Sequence, residues 1–247
     1  MMHFQVTDQL GTEVLNKINA ELNLLENLGD SKRESKRDYT TILENYLNTL
    51  DASLNLATKL RYEIGNNDRA FPHATTSYNL ITDRDYYQAV SDLYQAIKLD
   101  ANILNFHIPF EIQFQNYRDF NKGYAYMNYV VKLCNLFGVT AVWENAPILK
   151  YGEWSLVQNT DFIPKDYQLC LDIGHLMLGS KNQEEALRKI DDFMANYGHS
   201  VIHLHLHINN FIKDQHINDP ELVKNFLGTE RFLNLIANRT FIFEKGA

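Results

Sequence analysis

Apolar residues recur along this chain in two alternating periods. Val14, Ile18, Leu22 and Leu25 are spaced three or four apart and stop at Gly29, and the same period returns at Ile42, Tyr46, Leu50 and Leu54. It appears again at Tyr86, Val90, Leu93 and Ile97, and at Met127, Val131 and Cys134 before Gly138. That spacing gathers apolar side chains on one helical face. Asn182, with Glu185 three positions on, predicts a capping box opening a helix through Leu187, Ile190 and Met194 that ends at Gly198, and a last helix is expected over 222–236. Between these segments lie short apolar runs of strand character at 4–6, 60–64, 70–73, 102–108, 139–144, 167–173, 201–207 and 240–244. A loop of about twenty residues holding Trp154 separates the run at 139–144 from the next, longer than structural connections usually need.

The run VIHLHLHI from Val201 changes the picture. His203, His205 and His207 fall at every second position, so in a strand they share one face while Ile202, Leu204, Leu206 and Ile208 take the other. Asp214 and His216 follow as Asp-x-His. Any one of these histidines taken alone reads better as a strand residue that is solvated or satisfied by a carbonyl. The whole group points to metal ligation, because imidazole and carboxylate together are the donors of transition ions.

Reading only the ionisable residue near the end of each strand gives His73, His107, Glu144, Asp172, His205 and Glu244, at intervals of 34, 37, 28, 33 and 39 residues. Those intervals approximate the repeat of a (β/α)8 TIM barrel, in which every strand delivers its carboxyl end to one face and the active site lies there. The expected barrel is irregular in its N-terminal third, since no helix separates the runs at 60–64 and 70–73, and it lacks the last helix. At 247 residues and 45% hydrophobic content, one domain spanning 1–247 is expected.

In order along the chain, Trp143-Glu144-Asn145, Asp172-Ile-Gly-His175, His205-Leu-His-Ile-Asn, Asp214-Gln-His216 and the final carboxylate Glu244 resemble the signatures of the endonuclease IV-like and xylose isomerase-like barrel superfamily. The resemblance covers residues from about 70 to 244. For the endonuclease IV side it implies metal ligands at His73, His107, Glu144, Asp172, His175, His205, Asp214, His216 and Glu244, holding two to three divalent ions, zinc or manganese. Glu144 and Glu244 would also serve catalysis. His-x-His-x-Asn, aligned on that pattern, selects His205 over His207. The stretch from His73 to Tyr78 is similar to the segment by which such nucleases probe DNA, with a spacing that differs by two, and the lead-in from Leu60 is faintly similar to ultraviolet-damage endonucleases of the same superfamily. The family's glycine-rich turn after Asp-x-His is replaced by Ile217-Asn218-Asp219-Pro220.

The activity so implied is phosphodiester hydrolysis on damaged or abasic duplex DNA. The alternative is isomerisation or epimerisation of a sugar or sugar phosphate, for which Glu144, Asp172, His205 and Glu244 around one metal suffice. A metal-binding barrel without turnover is the third reading. A net charge of −8 weighs mildly against broad nucleic-acid binding, although bound cations reverse the sign locally. The basic cluster Lys32, Arg33, Lys36 and Arg37 fits a solvated helix face better than a phosphate contact. No apolar run is long enough to span a membrane, and no signal peptide is expected. Two cysteines without a spacing motif, Cys134 and Cys170, read as small core residues of a reducing, cytoplasmic compartment.

Overall fold

A computed structural model of the chain describes residues 9–27, 36–75, 81–109, 117–150, 153–158 and 166–245. The expected strand at 4–6, the basic residues Lys32 and Arg33, and Tyr78 lie outside the described residues. Helices α1 (Gln9–Asn27) and α2 (Lys36–Asn48) come first, and no strand precedes them among the described residues. Lys36 and Arg37 open α2. The two helices bury Val14, Ile18, Ile42, Leu43 and Tyr46, packing on each other and on α3 (Asp83–Lys98). They form an added outer layer, not the first unit of the barrel.

The barrel begins with a hairpin. Strand β1 (Arg61–Ile64) runs antiparallel to β2 (Ala70–His73), with Arg61 opposite His73. Gly65 turns the corner where an added Cβ would sit 2.3 Å from the Phe71 ring and 2.8 Å from the Phe241 carbonyl, so only glycine fits. From β2 the sheet continues in parallel through β3 (Ile103–His107), β4 (Thr140–Glu144), β7 (Leu169–Asp172), β8 (Val201–His205) and β9 (Thr240–Ile242). The expected long loop carries a separate antiparallel hairpin, β5 (Pro147–Lys150) and β6 (Glu153–Gln158).

Seven strands in the order β1-β2-β3-β4-β7-β8-β9 make a sheet nearly closed into an irregular (β/α) barrel, where the spacing suggests eight. The seam is made by the β1–β2 corner. Asn66 N–H donates to Phe241 O at 3.1 Å, Phe241 N–H donates to Asn66 Oδ1 at 3.0 Å, and the Lys245 amide donates to the Glu63 carboxylate at 3.1 Å. One turn and its side chains thus replace a parallel strand and helix.

Alternate strand residues face outward into the helical layer. Leu104, Phe106, Leu171 and Leu204 are fully buried with residues of α3, α4 (Tyr117–Leu136) and α6 (Gln183–Tyr197) in one core. Each contributes about 1.5–3 kcal/mol relative to exposure. Asn182 caps α6 by accepting from Glu185 N at 2.9 Å, as the sequence predicts, but the Glu185 side chain accepts from Lys181 N in place of closing the box on the cap. The expected last helix is two, α7 (Pro220–Leu227) and α8 (Thr229–Ile236), because Gly228 between them takes a φ of 79°. A short helix, α5 (Ile173–Met177), follows β7 directly. None of the described helices is long and apolar enough to cross a membrane.

Candidate metal centre

The strand registers level the ionisable residues. His107 is the Cα partner of Glu144, Asp172 that of His205, and His205 that of Ile242. His203 and His205 on β8 reach across the interior to β2, which is not a neighbouring strand: His203 stacks on Phe71 with ring centroids 4.4 Å apart, and His205 lies 4.8 Å from the His73 ring. The imidazole face of β8 therefore points into the barrel, and its aliphatic face into the helices.

Glu144, Asp172 and Glu244 are buried around His205. His205 Nδ1 lies 3.4 Å from Glu144 Oε2, 3.7 Å from Asp172 Oδ2 and 3.3 Å from Glu244 Oε2. Asn105 donates its amide to Glu144 Oε2, and His107 Nδ1 stands 3.7 Å from the same oxygen. Asn145 clamps the end of β7 by accepting from Asp172 N at 2.7 Å and donating to its carbonyl at 3.1 Å. Asp172 also caps α5, accepting from His175 N at 2.7 Å, so a single residue ends the strand and starts the helix that brings His175 back to the site.

A second group stands beside the first. His175 Nε2 is 3.2 Å from Asp214 Oδ2, and its Nδ1 is 3.3 Å from Glu144 Oε1. His207 Nε2 is 3.0 Å from each oxygen of Asp172, and its ring stacks on His216 at 4.2 Å and 11°. His216 Nδ1 is 3.4 Å from Asp214 Oδ1. The loop carrying Asp214 and His216 is closed at its base by reciprocal Ile208–Ile217 backbone bonds of 2.9 and 3.0 Å. Inside it, Asn209 donates to Gly174 O at 2.7 Å.

Charge is balanced internally. Burial alone would raise Glu144 and Asp172, but for Glu144 the neighbours His107 and His205, and for Asp172 the neighbours His175 and His207, hold the carboxyls well below their ordinary values. Burial pulls His175 down, yet Asp172, Asp214 and Glu144 carry it well above the usual imidazole value. His205 is likewise lowered by burial and carried well above by Cys170, Glu144 and Glu244. Burial raises the Glu244 carboxyl, against the pull of His205. His73 is pushed down to about 3 by burial and by His205.

These donors fit a metal. Glu144 Oε1, Glu244 Oε2, His73 Nε2, His207 Nδ1 and both nitrogens of His205 are buried without an aligned hydrogen-bond partner. The separations of His205 Nδ1 from Glu244 Oε2 and Glu144 Oε2, 3.3 and 3.4 Å, are long for hydrogen bonds. They match the edge, roughly 3.3–3.5 Å, of a tetrahedron whose corners sit about 2.0–2.2 Å from a central ion. Ligand atoms of Glu144, Asp172, His205 and Glu244 lie within 4.8 Å of one another, and so do those of His175, His207, Asp214 and His216.

No protein-family model matches the chain, and no curated protein matches it in sequence. Among solved structures it is similar to a D-tagatose 3-epimerase-like protein, with 19% identity and a TM-score of 0.50 over 69% of this chain and 67% of that one. Endonuclease IV from Thermus thermophilus matches over 91% of this chain and 86% of its own at 17% identity and a TM-score of 0.49. The TTHB071 protein of the same organism, in a structure soaked with ZnCl2, matches over 82% and 75% at 15% identity and a TM-score of 0.46. The chain has an irregular (β/α) barrel fold. At these identities the likeness is one of fold, and what the barrel does rests on its own residues.

Within this barrel, the predicted residues Glu144, Asp172, His175, His205, Asp214, His216 and Glu244 come together, His73 joins His205 and Glu244, and His107 borders Glu144. His205 falls in the group with Glu144, Asp172 and Glu244, and His207, which the sequence pattern did not select, falls in the group with His175, Asp214 and His216. The two-residue alternation at His203, His205 and His207 already placed both on one face. A second signal was Gly174, where an added Cβ would lie 1.9 Å from the His207 ring.

Proposed function

We propose that the chain is a metal-dependent phosphodiester hydrolase acting on damaged or abasic duplex DNA, with two to three divalent ions, zinc or manganese, held in a single barrel domain. The observation that supports this reading is the pair of four-residue groups that share no member, Glu144, Asp172, His205 and Glu244 on one side and His175, His207, Asp214 and His216 on the other. One ion, enough for a sugar isomerase, would leave the second group without purpose.

In this reading Asp172 and Glu144 join the two groups, through His207 at 3.0 Å and His175 at 3.3 Å. His73 and His107 complete the ligand set from β2 and β3. Bound ions would supply an acidified water and neutralise the leaving oxygen. Glu244, oriented by Arg61 at 3.1 Å, would take up and return a proton. Tyr78 and the basic residues Lys32, Arg33, Lys36 and Arg37 are proposed to grip the duplex.

The test is one metal-loaded preparation in two assays. The hydrolase cleaves abasic duplex DNA, loses cleavage in Glu144→Gln, and binds the duplex less tightly as salt rises, because each neutralised phosphate releases counterions. The complete four-ligand group around His205 supports a sugar or sugar phosphate isomerase as the second reading. That enzyme would exchange the proton beside a sugar carbonyl in heavy water and leave DNA intact. Silence in both assays with metal bound would leave a barrel that binds without turnover.

A further inference from the structure

Beneath the carboxylates, Cys170 on β7 and His203 on β8 are register partners, and both are fully buried in the barrel. Ligand atoms of Cys170, His203 and His205 lie within 4.8 Å of one another. Cys170 is a free cysteine. His203 Nδ1 is paired with Thr240 Oγ1 at 2.8 Å, and the same hydroxyl lies 3.3 Å from Ile202 O. With Nδ1 engaged, Nε2 is the nitrogen open to a ligand. His203 Nε2 is buried with no hydrogen-bond partner. Stacking on Phe71 at 22° fixes the ring plane. On His205, Nδ1 is turned to the carboxylates, and Nε2 is also buried and without a partner. A hydrogen bond on the far ring nitrogen is the usual outer support of a metal-bound histidine.

We propose that Cys170, His203 and His205 form an interior site for a thiophilic transition ion, zinc in the first place, one layer below the carboxylate centre. A thiolate with two imidazoles selects zinc or copper(I) over magnesium, calcium or manganese, which the carboxylate-rich groups above accept more readily. Binding displaces to solvent the proton of the Cys170 thiol and the one on His205 Nε2. This site stands independently of the hydrolase reading, and only His205 is common to it and the groups above. As an ordinary core cysteine, Cys170 would call for none of this: Cys134 is equally buried, on α4, and no metal-binding group among the described residues includes it.

The experiment is titration of the metal-stripped, full-length chain with Co2+, followed by absorption. A thiolate-to-cobalt charge-transfer band in the near ultraviolet is expected, lost in Cys170→Ser and retained in Cys134→Ser, while the visible ligand-field bands of cobalt at the carboxylates persist in both. His203→Gln keeps the thiol and removes the aligned nitrogen, so it should weaken the band or shift its titration to higher cobalt. It decides the matter if Cys170→Ser fails to fold by circular dichroism. Cobalt bound with no charge-transfer band overturns the interior site and leaves the carboxylate centre standing. A band that survives Cys170→Ser, or is unchanged in His203→Gln, overturns it as well.

Discussion

His207 Nε2 lies 3.0 Å from both oxygens of Asp172, in space that exists because residue 174 has no side chain. An added Cβ at Gly174 would come within 1.9 Å of His207 Cε1 and 2.3 Å of its Nδ1. Gly174→Ala is therefore expected to swing His207 off Asp172 and lower metal affinity on the order of 10–100-fold, the cost typical of disturbing a ligand's support. Isothermal titration with zinc measures it. An unchanged affinity would mean that His207 is not a ligand.

Glu144 ends β4, Glu244 lies two residues past β9, and both carboxylates face His205 Nδ1, at 3.4 and 3.3 Å. Replacing either with Gln should weaken metal binding while the barrel stays folded, since the outward strand residues hold the core. Circular dichroism and metal titration on the same samples test this. Unfolding with metal retained would make these carboxylates structural.

Removal of metal should matter most at high pH. In the metal-free protein His175 and His205 carry protons that offset the buried carboxylates, and both have folded-state values well above their ordinary ones. The stability so gained is fully present below the unfolded value, about 6.5, and is lost as pH rises through the raised folded value. Ion binding needs the same nitrogens bare and strengthens as pH rises. Chelator should lower Tm little near about pH 6 and progressively more as pH rises above that value. Equal chelator shifts across the range would show that the imidazoles do not exchange protons for metal.

Asp92 provides a pH dependence outside the site. Burial raises its carboxyl to about 6, although Thr75 N at 2.8 Å and Gln88 Nε2 at 2.7 Å donate to it and pull the other way. The folded protein thus holds a proton that the unfolded chain releases, and stability falls as pH rises from about 4 to about 6, by roughly 3 kcal/mol in total. Urea unfolding of Asp92→Asn should lose that slope. A slope that persists would place the proton elsewhere.

The sequence carried the barrel's period because each strand ends in a residue whose chemistry is distinct from its apolar run. Glu144, Asp172 and His205 stood out for that reason, and their strands are found where the runs lie. Residues 60–73 were legible as two strands, but not as a hairpin that closes the barrel, because the sign of a strand's direction leaves no trace in its hydrophobic pattern. Helix α5 was hidden for a different reason. Five residues are shorter than the window in which a helical period shows, and its cap, Asp172, also ended the strand. The partnership of His207 with Asp172 depends on a loop returning over α5, a tertiary relation that spacing does not encode.

Because β1 enters the barrel head first, the residue it brings to the rim is its opening one. Arg61 donates to the Glu244 carboxylate at 3.1 Å and to the Lys245 carbonyl, so a guanidinium of fixed charge stands beside the ionisable cluster. In a parallel stave that position would belong to an outgoing loop leading to a helix. Here it belongs to the incoming connector, which is moored to α3: Gln88 bonds the amide and carbonyl of Ala57 at 2.8 and 3.1 Å, and Arg84 bonds the carbonyls of Leu54 and Asn55. The mouth of this barrel is accordingly tunable from its N-terminal side, and changes to the 55–60 segment should retune what approaches Glu244 without disturbing any strand-to-helix loop.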